Sequence, residues 1–334
     1  MLCFLRHLCC GKHTPPPPSH PHTHTHTHRH DTQVMVMEQI QVNLLSLRLF
    51  ISIIGVVGNT LLLVSILHTH THLKSFELFL LALCSANLQQ LVMVDVYDVL
   101  LLCSPSCIGV CSCRALRFLT VFGEVCSVLF TALISIYRHQ KLHDVFSHVN
   151  VPVLLDSLRW AVCMCVLCVC VALAFGLPTL LVNTHWSVSN SSLERCPVDF
   201  FQCPSSSPCL THIYKYVFLL VCVVLPLLVV TVTSVLMVRV LLAQQRAVRV
   251  REAEEPHPHH HHSSLLRSTL AILAAMLLFL LDWSVYLLLH LAFDPYSFPL
   301  WAEVEFFITT IYTALSPYVY GIGNDLFSIK RLYC

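Results

Sequence analysis

Seven long apolar stretches, separated by short polar segments, dominate the pattern of the chain. A helix needs about 20 apolar residues to cross the hydrocarbon layer of a bilayer. Because lipid offers no partner to an unpaired backbone group, each stretch is predicted to be an α-helix. The pattern therefore predicts an all-α fold, a bundle of seven transmembrane helices. The stretches cover roughly residues 40–67, 75–102, 113–137, 158–182, 211–240, 265–292 and 299–322.

The composition supports membrane insertion and argues against several classes of function. Of 334 residues, 56% are hydrophobic and 11% are charged, whereas a soluble globular protein carries roughly 25% charged residues. The formal net charge of +1 lacks the clustered basic excess that binds nucleic acid, so no nucleic-acid partner is expected. Because no phosphate loop, Gly-x-Ser-x-Gly or His-Glu-x-x-His motif occurs, neither an enzyme nor a cofactor is predicted.

Positively charged residues divide the predicted loops into two sets. The richer set includes Lys141, Arg159, Arg246 and Arg331, whereas the other side has four such residues when the N-terminal segment is left out. Since cytoplasmic loops carry the excess of Lys and Arg, we predict a plasma-membrane protein with an extracellular N-terminus. The glycosylation sequon at Asn190 falls between the fourth and fifth stretches, on the predicted outer side.

Two low-complexity segments lie outside the apolar stretches. Residues 1–36 are rich in Pro and His and are predicted to be disordered, and translation could begin at Met1 or Met37. Residues 37–324 form the predicted membrane domain, whose third cytoplasmic loop, about 241–264, contains a second His tract. Residues 325–334 form a short cytoplasmic tail. Such His tracts either bind metal or are simple repeats in solvated segments, and we predict no metal site.

Polar motifs interrupt four of the seven stretches. Asn59 lies in the first and Asn87 in the second, the third ends at Tyr137-Arg138-His139, and the seventh contains Ser-Pro-Tyr-Val-Tyr at 316–320. A polar group at membrane depth is expected to hydrogen-bond to neighbouring helices, and a proline inside a helix permits a kink. Each motif alone is compatible with helix packing. Together and in this order they are far more specific.

This constellation resembles the rhodopsin-like (class A) G-protein-coupled receptors over nearly all of residues 40–330. In that family a Cys opens helix 3 and an Arg follows twenty-five residues later, as Cys113 and Arg138 do here. The family's Asp-Arg-Tyr becomes Tyr-Arg-His, its Asn-Pro-x-x-Tyr becomes Ser-Pro-Tyr-Val-Tyr, and its helix 2 Asp is Asn87. The loss of that carboxylate argues against regulation by sodium.

The resemblance also implies roles for individual residues. Arg138 is expected to contact a heterotrimeric G protein or to hold the resting state, and Cys113 is expected to form a disulfide bond with Cys196, with Cys203 as the rival. The basic residues near Arg246 would meet either the G protein or anionic membrane lipid. The residues implied in G-protein contact and activation are Arg138, Asn59, Asn87, Ser316, Pro317 and Tyr320.

The altered motifs resemble a narrower family, the vomeronasal type-1 receptors and their fish olfactory relatives. Members show Leu-Lys at the start of helix 2, Asp in helix 6 and Ser-Pro-Phe/Tyr-Val in helix 7. Here these are Leu73-Lys74, Asp282 and 316–319, and Ala86-Asn87-Leu88 fits the family's helix 2 motif. The resemblance implies a chemosensory receptor, of the pheromone or odorant type, for a small extracellular molecule.

Two other interpretations remain open. One is a non-olfactory class A receptor for a small molecule or peptide. The other, from a different class, is a membrane transporter for a metal ion, which the His tracts suggest. Transporters often contain internal repeats and ion ligands at the membrane midplane, and the chain has no recognisable internal repeat.

Ionisable side chains inside the predicted helices indicate where a ligand would bind, because they are costly in lipid and mark functional sites. Residues 117, 120 and 124 share one face of the third helix, with Glu124 roughly 16 Å below Cys113. Residues 282, 286 and 290 share a face of the sixth. The sign of the ligand's charge stays open, and Glu124 alternatively pairs with Arg117 or His290. The predicted ligand-binding residues are Asp95, Asp98, Arg117, Thr120, Glu124, Asp282, Tyr286 and His290.

Overall fold

The computed structural model describes residues 27–69, 73–103, 110–147, 154–182, 208–252, 260–292, 301–324 and 326. Their secondary structure consists of helices, and the major ones are numbered α1 to α7 below. Helix α5 combines an α-helix at Pro208–Phe218, a π-helical segment at Leu219–Val224 and an α-helix at Leu225–Glu252. The other six are α1 (Thr27–Thr69), α2 (Ser75–Cys103), α3 (Val110–Ser147), α4 (Leu158–Gly176), α6 (His260–Ala292) and α7 (Trp301–Gly323).

Two short helices flank α4. A 3₁₀ helix, Leu154–Asp156, precedes it, and a five-residue helix, Pro178–Val182, follows it. The predicted stretch 158–182 is therefore divided at Leu177, directly before Pro178. Leu177 itself keeps helical backbone angles, with φ −54° and ψ −40°. The division follows from Pro178, which has no backbone N–H to donate to the turn before it.

Helix length and apolarity identify the bundle as a membrane structure. Within the described residues, α1 to α6 each contain a segment long and apolar enough to cross a bilayer. Helix α7 has 23 residues, about 35 Å at 1.5 Å per residue, and so has the length to cross as well. It is less apolar because it contains Glu305 and several threonines. The predicted all-α bundle of seven helices is confirmed.

Helix α3 lies at the centre of the bundle. Of its most apolar segment 67% is buried, against 22% for α4, which therefore lies at the periphery. Helix α3 packs against α2, α4 and α5, whereas α1 packs against α2 and α7, and α6 packs against α5 and α7. This arrangement brings polar residues of α1, α2, α3 and α7 to one common core.

Helices α1 and α7 approach each other closely at two glycines of α1. A Cβ atom added to Gly55 would lie 3.0 Å from the Cα of Ala314, and one added to Gly58 would lie 2.5 Å from the ring of Tyr318. The Tyr318 hydroxyl donates a 2.8 Å hydrogen bond to the carbonyl of Ile54. Small residues let membrane helices approach this closely. The close approach places Asn59 of α1 next to the backbone of α7.

A π-helical segment in α5 positions side chains that face α3. It covers Leu219–Val224 and is followed by Pro226, which cannot donate a hydrogen bond to the preceding turn. A wider turn beside a proline is a known way to accommodate the missing bond. Its buried residues include Leu219, Cys222 and Val223, and Cys222 lies near Glu124 of α3.

Three helices extend beyond the predicted apolar stretches. Helix α1 begins at Thr27, so the last part of the segment 1–36 that was predicted to be disordered is helical. Helices α5 and α6 extend to Glu252 and from His260, into the predicted loop 241–264. The prediction measured only the apolar part of each helix. Residues without Gly or Pro extend an established helix at little cost, because only its nucleation is unfavourable.

The close contact at Gly58 generates a stability prediction. We expect Gly58→Ala to lower the free energy of unfolding by about 1–3 kcal/mol, because the added methyl group overlaps the anchored Tyr318 ring. The Tm of the detergent-solubilised protein measures the effect. Adding Tyr318→Leu should recover part of the loss, since the two positions share one contact. Strictly additive losses in the double variant would contradict the close approach of α1 and α7.

Candidate functional site

A hydrogen-bonded network at the core joins four helices. The Asn87 amide of α2 donates to Asn59 Oδ1 of α1 at 3.1 Å and to Ser316 Oγ of α7 at 3.4 Å. The Ser127 hydroxyl of α3 donates to Asn87 Oδ1 at 2.7 Å. Both asparagines are fully buried. The three predicted residues Asn59, Asn87 and Ser316 are thus brought together. Each bond gives a buried polar group a partner that lipid cannot supply.

The same core fixes the backbone of α7. The Asn59 amide donates to the carbonyls of Gly55 and Thr313, at 2.9 Å and 3.0 Å. The Thr313 hydroxyl in turn reaches Gln90 of α2 at 3.4 Å. Pro317 lies inside α7, one residue after Ser316 of the network. Side chains of α1 and α2 therefore contact α7 in the turns before its proline.

Tyrosines continue the polar core along α7. Tyr312 is hydrogen-bonded to Thr131 of α3 at 2.8 Å, and its ring packs edge-on against Phe279 of α6 at 5.3 Å. Tyr320 is fully buried beside Tyr312 and Arg138. The two tyrosines therefore lie between the asparagine network and the arginine of α3.

Charged residues occupy one end of the bundle, called here the Asp98 end. Arg48 of α1 forms a 2.8 Å ion pair with Asp98 of α2, and its guanidinium lies 4.2 Å above the Phe306 ring of α7. One turn deeper, the Ser52 hydroxyl donates to Asp95 at 2.6 Å. The two predicted aspartates of α2 thus face α1, and the ion pair links α1, α2 and α7.

The predicted stripe on α3 lies among other helices of the bundle. Arg117 is buried close to Tyr97 of α2, and Glu124 lies close to Cys222 of α5. The Thr120 hydroxyl bonds within its own helix, to the carbonyl of Leu116 at 3.0 Å. The stripe therefore presents a cation near α2 and a carboxyl group near α5, about 10 Å apart along the helix axis.

The predicted stripe on α6 contacts α7. Tyr286 and His290 are buried with ring centroids 4.3 Å apart, and His290 Nε2 lies 3.8 Å from Glu305. Both residues line a pocket between α6 and α7 that has about 180 Å³ of empty space, part of it open. Asp282 lies two turns away, against the backbone of Tyr312. Because the 180 Å³ includes space open to solvent, the enclosed part of the pocket is far smaller than the usual 300–1,000 Å³ of a ligand cavity.

Arg138 lies at the opposite end of the bundle, called here the Arg138 end. Its guanidinium donates to Asn324 Oδ1 at 2.8 Å and lies 3.5 Å from the centre of the Phe76 ring. The Ser268 hydroxyl of α6 donates to the same Asn324 oxygen at 2.7 Å. Among the described residues, Arg138 has no ion pair with an acidic side chain. It is held by a neutral carboxamide and an aromatic ring.

Asp156, in the 3₁₀ helix between α3 and α4, gathers three partners at the Arg138 end. It accepts bonds from Lys141 Nζ at 2.8 Å and from the Tyr137 hydroxyl at 3.0 Å, and its carbonyl accepts from Ser75 of α2 at 2.9 Å. The Lys141 bond, opposed by partial burial and supported by Tyr137, holds the pKa of Asp156 below its ordinary value of 3.8. The carboxylate therefore stays ionised throughout the physiological pH range.

Three predicted residues have no described side chain. Cys196 and Asn190 fall outside the described residues, and Cys113 belongs to α3 by its backbone alone. The predicted disulfide bond and glycosylation remain predictions. Within the described part of the chain, no three His, Cys, Asp or Glu side chains are grouped closely enough to hold a metal ion.

Sequence reasoning missed four residues of these clusters: Arg48, Ser127, Asp156 and Asn324. Arg48 is an ionisable residue in the first apolar stretch, so the rule that selected Glu124 should have selected it too. Ser127 is small and common in membrane helices, and Asp156 and Asn324 lie outside the apolar stretches. Only their spatial partners distinguish these three, so the sequence carried no signal for them.

The geometry defines a multi-pass α-helical membrane protein with a buried polar core. At one end, Arg138 of α3 and Ser268 of α6 share the acceptor Asn324. The family model described as 7 transmembrane receptor (rhodopsin family) matches residues 58–319. The chain therefore belongs to the rhodopsin family of seven-transmembrane receptors and is a class A G-protein-coupled receptor, a signalling protein rather than an enzyme. A search of curated proteins finds no match to the chain. The predicted resemblance to class A receptors is confirmed.

The core network predicts the effect of removing its central amide. We expect Asn87→Leu to destabilise the receptor by about 1–3 kcal/mol for each partner left unsatisfied, since Asn59, Ser127 and Ser316 all bond to it. The Tm of purified receptor in detergent measures this. Ser85→Ala is the matched control, because Ser85 is exposed and bonds only to Leu81 of its own helix. Equal Tm values for both variants would contradict a structural network.

The Asp156 contacts predict a pH-independent connection between α3 and α4. A depressed pKa adds stability above the ordinary pKa and loses it as the pH falls through the folded value, which lies below 3.8. Asp156→Asn should therefore accelerate amide hydrogen exchange near residues 154–160, after correction for intrinsic rates, by the same factor at pH 5.5 and pH 8. Asp144→Asn, a nearby acid of α3, serves as the control. A factor that changes across this range would oppose the interpretation.

Proposed function

We propose that this class A receptor is a chemosensory receptor of the pheromone or odorant type, which detects a small extracellular molecule in a cavity between its helices. Support comes from the motifs that resemble the vomeronasal type-1 and fish olfactory receptors. Two residues of these motifs, Asn87 and Ser316, belong to the buried polar core. They thus belong to the hydrogen-bonded network that joins the helices. We expect a departure from the general class A pattern at these positions to affect receptor function.

The proposed ligand site lies between the stripes of α3 and α6. Arg117 and Glu124 offer groups of opposite sign, and Tyr286 and His290 offer aromatic surface beside Glu305. We assign ligand contact to these two stripes, with Thr120 and Asp282 as flanking polar groups. Asp95 and Asp98 instead support the proposed site from the side of α1, where they accept hydrogen bonds from Ser52 and Arg48.

One observation carries the proposal that ligand binding changes the core. A run of buried aromatic rings follows α6 from the pocket towards the centre of the bundle, with successive centroids 4.3, 5.0 and 6.0 Å apart. It ends at Phe279, which contacts Tyr312 of α7. A ligand that shifts the ring of His290 would therefore change the packing of the rings down to the core. A closely packed core responds by switching between discrete arrangements. The run consists of His290, Tyr286, Trp283 and Phe279.

The proposal includes an orientation in the plasma membrane. The Asp98 end faces outward with the N-terminus, glycosylated Asn190 and a disulfide bond between Cys113 and Cys196. The Arg138 end faces the cytoplasm, where it meets a heterotrimeric G protein and where basic residues meet anionic lipid. The distribution of Lys and Arg among the loops and the position of the sequon support this orientation.

A ligand screen tests the proposed function. The receptor is expressed with a promiscuous G protein, and calcium release is recorded for small organic acids, amines and steroids. We expect concentration-dependent responses to members of one chemical class, absent from cells without the receptor. A silent screen at verified surface expression would reject this proposal and favour a class A receptor for another kind of ligand.

Glu124 provides the test of the proposed site. We expect Glu124→Gln to shift the potency of the screened agonist at least about tenfold, as loss of one charge-assisted contact does. Glu77→Gln is the matched control, because Glu77 lies at the first turn of α2 and accepts its bond from the Lys74 backbone. Unchanged potency at normal surface expression would remove Glu124 from the site.

A further inference from the structure

The side-chain oxygen of Asn324 is the shared acceptor for two other helices at the Arg138 end. Asn324 follows α7 directly, and its amide donates back to the Tyr320 carbonyl at 2.8 Å, which fixes the side chain against the end of the helix. Its Oδ1 then accepts from Arg138 of α3 at 2.8 Å and from Ser268 of α6 at 2.7 Å. One oxygen atom therefore joins α3, α6 and α7.

The chemistry of this contact differs from an ion pair. Within the described residues, the Arg138 guanidinium contacts the Asn324 carboxamide and the Phe76 ring, and neither carries a charge. The preceding residue, Tyr137, directs its hydroxyl to Asp156. A hydrogen bond from a charged donor to a neutral acceptor is weaker than one to a carboxylate. The Arg138 contact is therefore weaker than an ion pair with a carboxylate would be.

We propose that Asn324 is a switch residue that holds the resting receptor closed by tying Arg138 and α6 to the end of α7. The inference rests on the proposed orientation, in which the Arg138 end meets the G protein. While the carboxamide accepts both bonds, the guanidinium is turned towards α7 and the end of α6 cannot move outward. When α7 shifts, both bonds break together, and a single event frees the arginine and α6.

Two substitutions of Asn324 have opposite expected effects, which separates a switch from a merely structural role. Asn324→Ala removes both bonds and should raise basal, ligand-free G-protein activation by about tenfold per receptor. Asn324→Asp keeps the size of the side chain and replaces the neutral acceptor with a carboxylate. It loses the bond to the Tyr320 carbonyl, but we expect the new ion pair with Arg138 to outweigh that loss and to lower basal activation below that of the native receptor. Ser268→Ala, which removes only the α6 bond, should give a smaller rise than Asn324→Ala.

The experiment measures GTPγS binding to purified heterotrimeric G proteins of each major class on membranes with matched receptor content. Thr231→Ala is the control, because Thr231 is exposed on α5 and bonds only to Leu227 of its own helix. A second readout needs no G protein. A cysteine introduced by Thr269→Cys, at a position that is 6% exposed, should react faster with a water-soluble maleimide in the Asn324→Ala background and slower in the Asn324→Asp background.

The outcomes are exclusive. Opposite changes for the two Asn324 substitutions in either readout support the switch. Equal changes in the same direction, or no change in both readouts at matched receptor content, overturn it. Neither readout uses a ligand, so a silent ligand screen, which would reject the chemosensory proposal, leaves this test unaffected.

Discussion

The structure depends on one constraint, that a polar side chain in lipid must find its partners inside the protein. Asn87 shows how the constraint acts, because its amide is satisfied only when α1, α3 and α7 present Asn59, Ser127 and Ser316 together. A shift of one helix by a turn would leave several buried groups unpaired. The network therefore fixes the register of four helices, and Gly55 and Gly58 permit the close approach that this register requires.

The two ends of the bundle solve the same problem with different chemistry. At the Asp98 end, the Arg48 and Asp98 charges compensate each other directly, which links α1, α2 and α7 by an ion pair. At the Arg138 end, the charge of the guanidinium is met by an amide oxygen and an aromatic face. Meanwhile Asp156 takes its bonds from Lys141 and Tyr137. One end is thus held by an ion pair, and the other by a neutral hydrogen-bond acceptor and an aromatic ring.

Helix α6 connects these ends. It lines the pocket with Tyr286 and His290, carries the aromatic run to Tyr312, and reaches Asn324 through Ser268. Because α7 holds the partner residues at each of these levels, movement of α6 relative to α7 alters all three contacts together. This coupling is what a membrane receptor needs in order to report an event on one side of the bilayer to the other.

The sequence by itself determined the seven helices, because apolar length is a local property that lipid imposes on every crossing segment. It also identified Asn59, Asn87, Arg138 and Ser316, since polar groups are rare in such segments. Their partners were decided only by tertiary structure. Helical spacing placed Asp95 and Asp98 on one face of α2, and only the tertiary structure shows that Ser52 and Arg48 of α1 meet this face. Asn324 lies beyond the apolar stretch. Only the packing of α3 and α6 against the end of α7 shows that it accepts bonds from Arg138 and Ser268.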